Sequence, residues 1–359
     1  MNKKVQQWLR PEIRRLCAYH VPDAGDYIKL DAMENPFCWP EELQQQWLTL
    51  LKDSSVNRYP DPQARQLTDV LRREMAIPAA YDIVLGNGSD ELIQLIVAIV
   101  AAPGRVVLAP SPTFVMYKMV AALMGMDYQS VALSTNYQLD EAAMLDAIAK
   151  YQPAVVFLAY PNNPTGNLFS ETSVHKIIAA SPGIVVLDEA YHAFAAKSFL
   201  PHLDQYDNLL ILRTVSKMGL AGLRLGLLTG DPAWLREVDK VRLPYNINTL
   251  TQITATFALQ HSEVFKAQTE ELCRHRTQLF AALDAMSGVQ AYPTEANFIL
   301  FRLRNHHADD VYAQLKAAGI LVKNLHGSSV DLQDCLRVTV GTASQNASFL
   351  DAMASIIHD

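Results

Sequence analysis

The chain of 359 residues is 50% hydrophobic and 19% charged, with 15 Gly and 18 Pro, a globular composition that excludes disordered, collagen-like and low-complexity architectures. Its length fits about two domains. The 30 Lys+Arg against 37 Asp+Glu leave a net charge of −7, and without a long basic run this argues against a nucleic-acid or acidic-membrane partner.

The N-terminal stretch MNKKVQQWLRPEIRRL carries charge but no apolar run long enough for a signal peptide. From residue 83 to 230, short apolar runs alternate with longer helical segments, the pattern of a mainly parallel sheet covered on both faces. The runs are Ile83–Leu85, Val106–Ala109, Ala154–Tyr160, Ile184–Leu187 and Leu209–Leu212. Between the first two lies the longest apolar stretch, Leu92–Ala102. It falls short of the roughly 20 residues a membrane helix needs and reads as a buried helix.

Thr249–Met286 has helical spacing and predicts one helix or a helix pair bridging two domains. Beyond it, strands are expected at Phe298–Leu303, Ile320–Val322 and Leu336–Val340, with helices at Asp309–Ala318 and Ala347–Ile357, a smaller α+β unit. Cys17, Cys38, Cys273 and Cys335 are far apart and form no C-x-x-C pair, so neither a zinc site nor a disulfide framework is indicated and a reducing cytoplasm is expected.

Three apolar runs end in polar residues. Ala154–Tyr160 leads into Pro161-Asn162-Asn163-Pro164-Thr165-Gly166, Ile184–Leu187 into Asp188-Glu189-Ala190-Tyr191, and Leu209–Leu212 into Arg213-Thr214-Val215-Ser216-Lys217. Ligands of open α/β sheets bind at the carboxyl ends of strands, so the three ends can converge on one site. Gly86-Asn87-Gly88-Ser89-Asp90-Glu91 stands between a strand and a helix; with Ser89 as the expected N-cap, it offers backbone N–H groups to an anion. Each piece also has a plain reading, namely a capped helix, a turn, a strand-end salt bridge or a solvated lysine. Together they make a site for pyridoxal 5′-phosphate: a lysine for the aldehyde, an acid for the ring nitrogen and a helix terminus for the phosphate.

With Tyr59 in Arg58-Tyr59-Pro60, Arg224, Arg337 in Leu336-Arg337-Val338-Thr339-Val340-Gly341, Asp31–Pro36 and Leu243–Asn248, the ordered set resembles the fold-type I pyridoxal-phosphate aminotransferases. Within them it most resembles the histidinol-phosphate aminotransferase family, from about Tyr19 to Thr342. The resemblance implies a large cofactor-binding domain with a mainly parallel sheet and a smaller C-terminal α+β domain. The expected division is an arm at 1–40, a large domain at 41–248 and a small domain at 249–359.

The resemblance also assigns roles. Lys217 is the Schiff-base lysine, Asp188 the partner of the pyridinium nitrogen, and Asn163 and Tyr191 the partners of the ring hydroxyl. Ser216, Arg224 and the backbone of Gly88, Ser89 and Asp90 hold the phosphate, and Phe114 stacks on the ring where many relatives carry tyrosine. Tyr59 reaches the neighbouring site of a homodimer. Tyr19, Asn35, Tyr245, Lys323 and Arg337 face the substrates, with Arg337 the fork for a carboxylate or a phosphate.

The implied reaction is transamination between L-histidinol phosphate and 2-oxoglutarate, giving imidazole acetol phosphate and glutamate in histidine biosynthesis, with no metal. A threonine-phosphate decarboxylase and an aromatic or broad-range aminotransferase would keep the same cofactor residues. A cofactor-sensing regulatory module also uses this fold, but the acidic charge and the absence of N-terminal DNA-binding helices argue against it.

Overall fold

The computed structural model describes residues 2–18, 22, 23 and 25–358. In chain order its strands are β1 (Ile28–Lys29), β2 (Asp82–Asn87), β3 (Val106–Ser111), β4 (Asp127–Ala132), β5 (Val155–Ala159), β6 (Ile184–Asp188), β7 (Leu209–Thr214), β8 (Leu225–Gly230), β9 (Val289–Ala291), β10 (Phe298–Leu303), β11 (Ile320–Leu321), β12 (Lys323–Asn324) and β13 (Cys335–Thr339).

Seven of them form one sheet in the order β2-β8-β7-β6-β5-β3-β4. The β5, β6 and β7 runs have no polar face because both faces are covered. Val156, Leu158, Val185, Leu187, Leu209 and Ile211 pack into the cluster on one side, while Val155, Phe157, Ile184, Val186, Leu210 and Leu212 pack into that on the other. The α/β class and the mainly parallel sheet are therefore as expected.

Two strands of this sheet go beyond the expected set. β4 is an edge strand of half-exposed, polar-rich sequence, paired parallel to β3. β8 runs antiparallel between β2 and β7. Only residues 215–224 separate it from β7, too few for the dozen or so a parallel crossover needs, so the chain must turn straight back. That return segment carries Lys217 and Arg224.

The helical stretch after residue 249 is a pair, Thr249–Gln260 and Ser262–Asp284. A second, antiparallel sheet comes after it, in the order β12-β13-β10-β9. It packs Phe298, Phe301 and Leu336 with Phe349 of the last helix, Ala343–His358, which begins earlier than the expected Ala347. β1 from the N-terminal segment pairs parallel with β11, so the arm is stitched to the C-terminal part of the chain.

Candidate active site

Because β5, β6 and β7 are adjacent and parallel, the segments leaving their carboxyl ends share one edge of the sheet. They enclose a cavity of about 400 Å³ lined by Asn163, Asp188, Tyr191, Ser216 and Lys217, with Ser89, Asp90, Phe114 and Arg224 contributed from neighbouring segments. The convergence of three strand ends expected from the sequence is present.

Asp188 is the last residue of β6 and is buried. Its carboxylate accepts the Tyr117 hydroxyl at 2.7 Å and the Ala190 N–H at 3.1 Å. Burial pushes its pKa up to about 6, with the Tyr117 and Ala190 hydrogen bonds pulling the other way. Tyr117 is fully buried and stacks on Phe157 at 4.5 Å, so the hydroxyl is held on the carboxylate.

Lys217 sits in a short 3-10 turn just after β7. Its Nζ donates to the Ala32 carbonyl at 3.2 Å and lies 6.0 Å from the centre of the Tyr191 ring. Burial, and secondarily the Arg337 charge, bring its pKa down to about 8. An amine so placed is neutral for part of the time near neutral pH, which a nucleophile or proton carrier requires.

Asn163 donates from Nδ2 to the Tyr191 hydroxyl at 3.2 Å and accepts Arg337 Nη1 on its oxygen. Arg337 Nη2 donates to the Asp31 carbonyl at 3.0 Å, and the guanidinium lies 5.1 Å from the Phe298 ring centre. A buried cation thus stands behind the Asn163–Tyr191 pair. Lys323 lies directly across from Arg337 in the β12–β13 register. With Arg337 it lines an adjoining cavity of about 380 Å³ that shares Met33, Phe114 and Asn163 with the first. Burial, then the Arg337 charge, holds its ammonium below the ordinary lysine value.

The helix Ser89–Val100 points its N-terminus at the cavity. Its N-cap is Gly88 rather than the expected Ser89, and no side chain among the described residues caps it; at φ 78° and ψ 169° the backbone occupies a region open essentially to glycine alone. The first N–H groups of a helix have no intrahelical partner, and here Arg224 stands beside them, its Nη2 3.4 Å from Asp90. A Cβ on Gly88 would come within 2.7 Å of Arg224 Nη2, and one on Gly226 within 2.6 Å of the Gly88 carbonyl carbon and the Ser89 nitrogen. The absence of side chains at both positions leaves an anion-sized cradle of backbone donors and a guanidinium. With Ser216 buried alongside, the site fits a phosphorylated aldehyde cofactor: donors for phosphate, an amine for the aldehyde and an acid in the interior.

Not every residue singled out reaches this cavity. Asn35 turns its amide to the Gln268 side chain at 2.9 Å and the Met218 carbonyl at 3.4 Å, bracing the lysine turn from behind. Tyr59 is 80% exposed and stacks on Tyr245 at 4.5 Å along a separate groove. Tyr19 lies outside the described residues. Conversely, sequence reasoning misses Tyr117 and Gly226. A tyrosine in an apolar helix reads as core, and Gly226 is visible only as a glycine interrupting a strand.

A family profile described as aminotransferase class I and II matches residues 24–353. The chain is 57% identical over 350 residues to histidinol-phosphate aminotransferase 2 of Nitrosococcus oceani, covering 98% of this chain and 97% of that protein. It is 50% identical over 353 residues to histidinol-phosphate aminotransferase of Chromobacterium violaceum, covering 98% and 99%. Among solved structures, histidinol-phosphate aminotransferase from Sinorhizobium meliloti, in complex with pyridoxal-5′-phosphate, superposes with a TM-score of 0.87 at 23% identity over 98% of each chain. L-threonine-O-3-phosphate decarboxylase from Porphyromonas gingivalis does so at 0.77 and 21% identity, covering 92% of this chain and 99% of that one.

Proposed function

The chain belongs to the class I and II aminotransferases, and on that footing we propose that it exchanges the amino group between L-histidinol phosphate and 2-oxoglutarate, yielding imidazole acetol phosphate and glutamate in histidine biosynthesis. The observation that carries this reading is the gathering of Lys217, Asp188, the Asn163–Tyr191 pair and the Ser89 helix terminus around one cavity. Relatives named for this activity share 44–57% of their residues with nearly the whole chain. The decarboxylase likeness, at 21% identity, speaks for the fold alone.

Pyridoxal 5′-phosphate supplies an aldehyde that takes up the amino group and a ring that accepts the electron pair left when the substrate Cα–H breaks. The protein does the rest. The Ser89 and Asp90 N–H groups, Ser216 and Arg224 hold the phosphate, and Phe114 stacks on the ring. Asp188, ionised at neutral pH, keeps a proton on the ring nitrogen. Asn163 and Tyr191 orient the ring hydroxyl. With the cofactor bound, Lys217 would hold its aldehyde, and the free amine would carry the proton away from the substrate Cα, a role worth roughly 10²–10⁴-fold.

Both substrates are anions, and Arg337 faces them as a planar fork able to take a carboxylate or a phosphate. Lys323, in the adjoining space, suits the phosphate. In this reading the chain acts as a cytoplasmic homodimer in which Tyr59, with Tyr245 stacked on it, serves the partner's site. Its strong exposure in the single chain supports that placement. The division into 1–40, 41–248 and 249–359 belongs to the same proposal, supported by the pairing of the arm's β1 with β11.

The test is product analysis. Purified enzyme given histidinol phosphate and 2-oxoglutarate is expected to form glutamate stoichiometrically. Carbon dioxide release from threonine phosphate, with no glutamate from histidinol phosphate, would overturn the assignment.

A further inference from the structure

After the Asn163 loop in the chain, the helix Glu171–Ala180 begins with Glu171 and carries His175 one turn later; the 3-10 helix Leu200–Gln205 brings His202 beside them. Glu171 Oε1 lies 3.6 Å from His202 Nε2 and 3.9 Å from His175 Nε2. One ligand atom from each of the three residues falls within 4.8 Å of the others. Ligand atoms around a tetrahedral zinc, at bonds of about 2.0–2.2 Å, stand about 3.3–3.6 Å apart. Side-chain adjustments of about an ångström or less would close the set.

The surroundings orient the three groups. Tyr206 Oη is 2.8 Å from His175 Nδ1 and can accept its proton, leaving Nε2 as the lone-pair nitrogen. The Gln205 amide is 3.1 Å from His202 Nδ1; turned with its oxygen inward, it does the same there. Lys197 Nζ holds the second carboxylate oxygen of Glu171 at 3.2 Å, so Oε1 remains the inward one. The buried Phe199 packs against both imidazoles, with ring centres 5.1 and 5.4 Å away.

We propose that Glu171, His175 and His202 form a binding site for a borderline divalent cation, zinc above all, with the fourth position open to water. Two imidazoles and one carboxylate suit zinc rather than magnesium or calcium, which take all-oxygen sets. The site stands apart from the catalytic cavity and is independent of the substrate assignment. A bound ion would tie the helix after the Asn163 loop to the segment after the Asp188–Tyr191 turn, which follow two of the three catalytic strand ends, those of β5 and β6.

The experiment is zinc titration of the cofactor-loaded protein, stripped of metal beforehand, in competition with a chromophoric chelator. Parent protein and the His307→Ala variant, which alters a separate cluster of His307, Asp309 and His326, should bind one ion per chain at this site. His202→Gln and His175→Gln should each weaken binding by at least about tenfold, the lower end of what even outer partners contribute. Cobalt added to the unaltered protein should give the visible bands of a tetrahedral site, a readout that needs no variant. Absent binding, octahedral-type cobalt spectra, or affinity unchanged in His202→Gln would overturn the proposal.

Discussion

At the scale of single residues, the catalytic groups are held at a cost to the fold. Lys217 is brought down to about 8, so between roughly pH 8 and 10.5 the unfolded chain keeps a proton that the folded chain has released, and stability rises with pH across that window. Below it the full penalty of a buried charge applies. Asp188 is pushed up to about 6. Between roughly pH 4 and 6 the folded chain holds the extra proton, so stability falls as pH rises, and the penalty persists above. In the cofactor-free protein at pH 7, Lys217→Met and Asp188→Asn should therefore unfold at urea midpoints equal to or above the parent's, although each disables the site. Lowered midpoints for both would contradict this. Tyr117→Phe keeps the stack on Phe157 but removes a hydrogen bond to a carboxylate, worth about 1.5–3 kcal/mol, or about one to two pKa units. The bound cofactor's absorbance should titrate with its lower transition shifted toward higher pH, and kcat should fall more than KM rises. An unchanged titration would make Tyr117 mere packing.

At the scale of elements, the site is made by the segments leaving the strand ends. Glu189, fully buried, pairs with Arg213 at 2.8 Å and accepts from Ser198 and from the Phe199 N–H, which locks the turn from Asp188 to Tyr191. Strand β8 brings its backbone against the helix start only because residue 226 lacks a Cβ. Gly226→Ala would press on main-chain atoms at 2.6 Å, which cannot swing away, so overpacking of about 1–3 kcal/mol is expected. Thermal unfolding and phosphate-dependent cofactor affinity should both suffer; a variant that loads cofactor normally would refute the cradle. The strand-end motifs could be read in the sequence because apolar runs broke off at polar residues, and that break is a one-dimensional signal. β8 escaped because glycines interrupt its apolar run, and the Tyr117–Asp188 contact and the Glu171–His175–His202 cluster could not be read, since each joins residues distant in the chain whose separate patterns look like core or surface. The N-cap shifted from Ser89 to Gly88 because the backbone angle there, not a side-chain oxygen, starts the helix.

At the scale of the whole molecule, one chain leaves Tyr59 exposed and stacked on Tyr245, with Leu243 of the same loop as Tyr245 itself 70% exposed, which accords with a second copy completing the site. If so, Tyr59→Phe should bind cofactor more weakly, and mixing it with Lys217→Ala under subunit exchange should restore activity through hybrids that own one intact site. Activity that never exceeds that of the separate variants would count against sharing. The assignment of alternating anionic substrates to one cationic pocket is tested most directly by rapid mixing of the cofactor-loaded enzyme with glutamate alone and with histidinol phosphate alone. Both should shift the cofactor absorbance in a single turnover. Arg337→Ala should slow both by roughly 10–100-fold, as expected for a lost charged hydrogen bond of about 1.5–3 kcal/mol. An absorbance that histidinol phosphate leaves unchanged, or an Arg337→Ala variant impaired toward glutamate alone, would contradict the account.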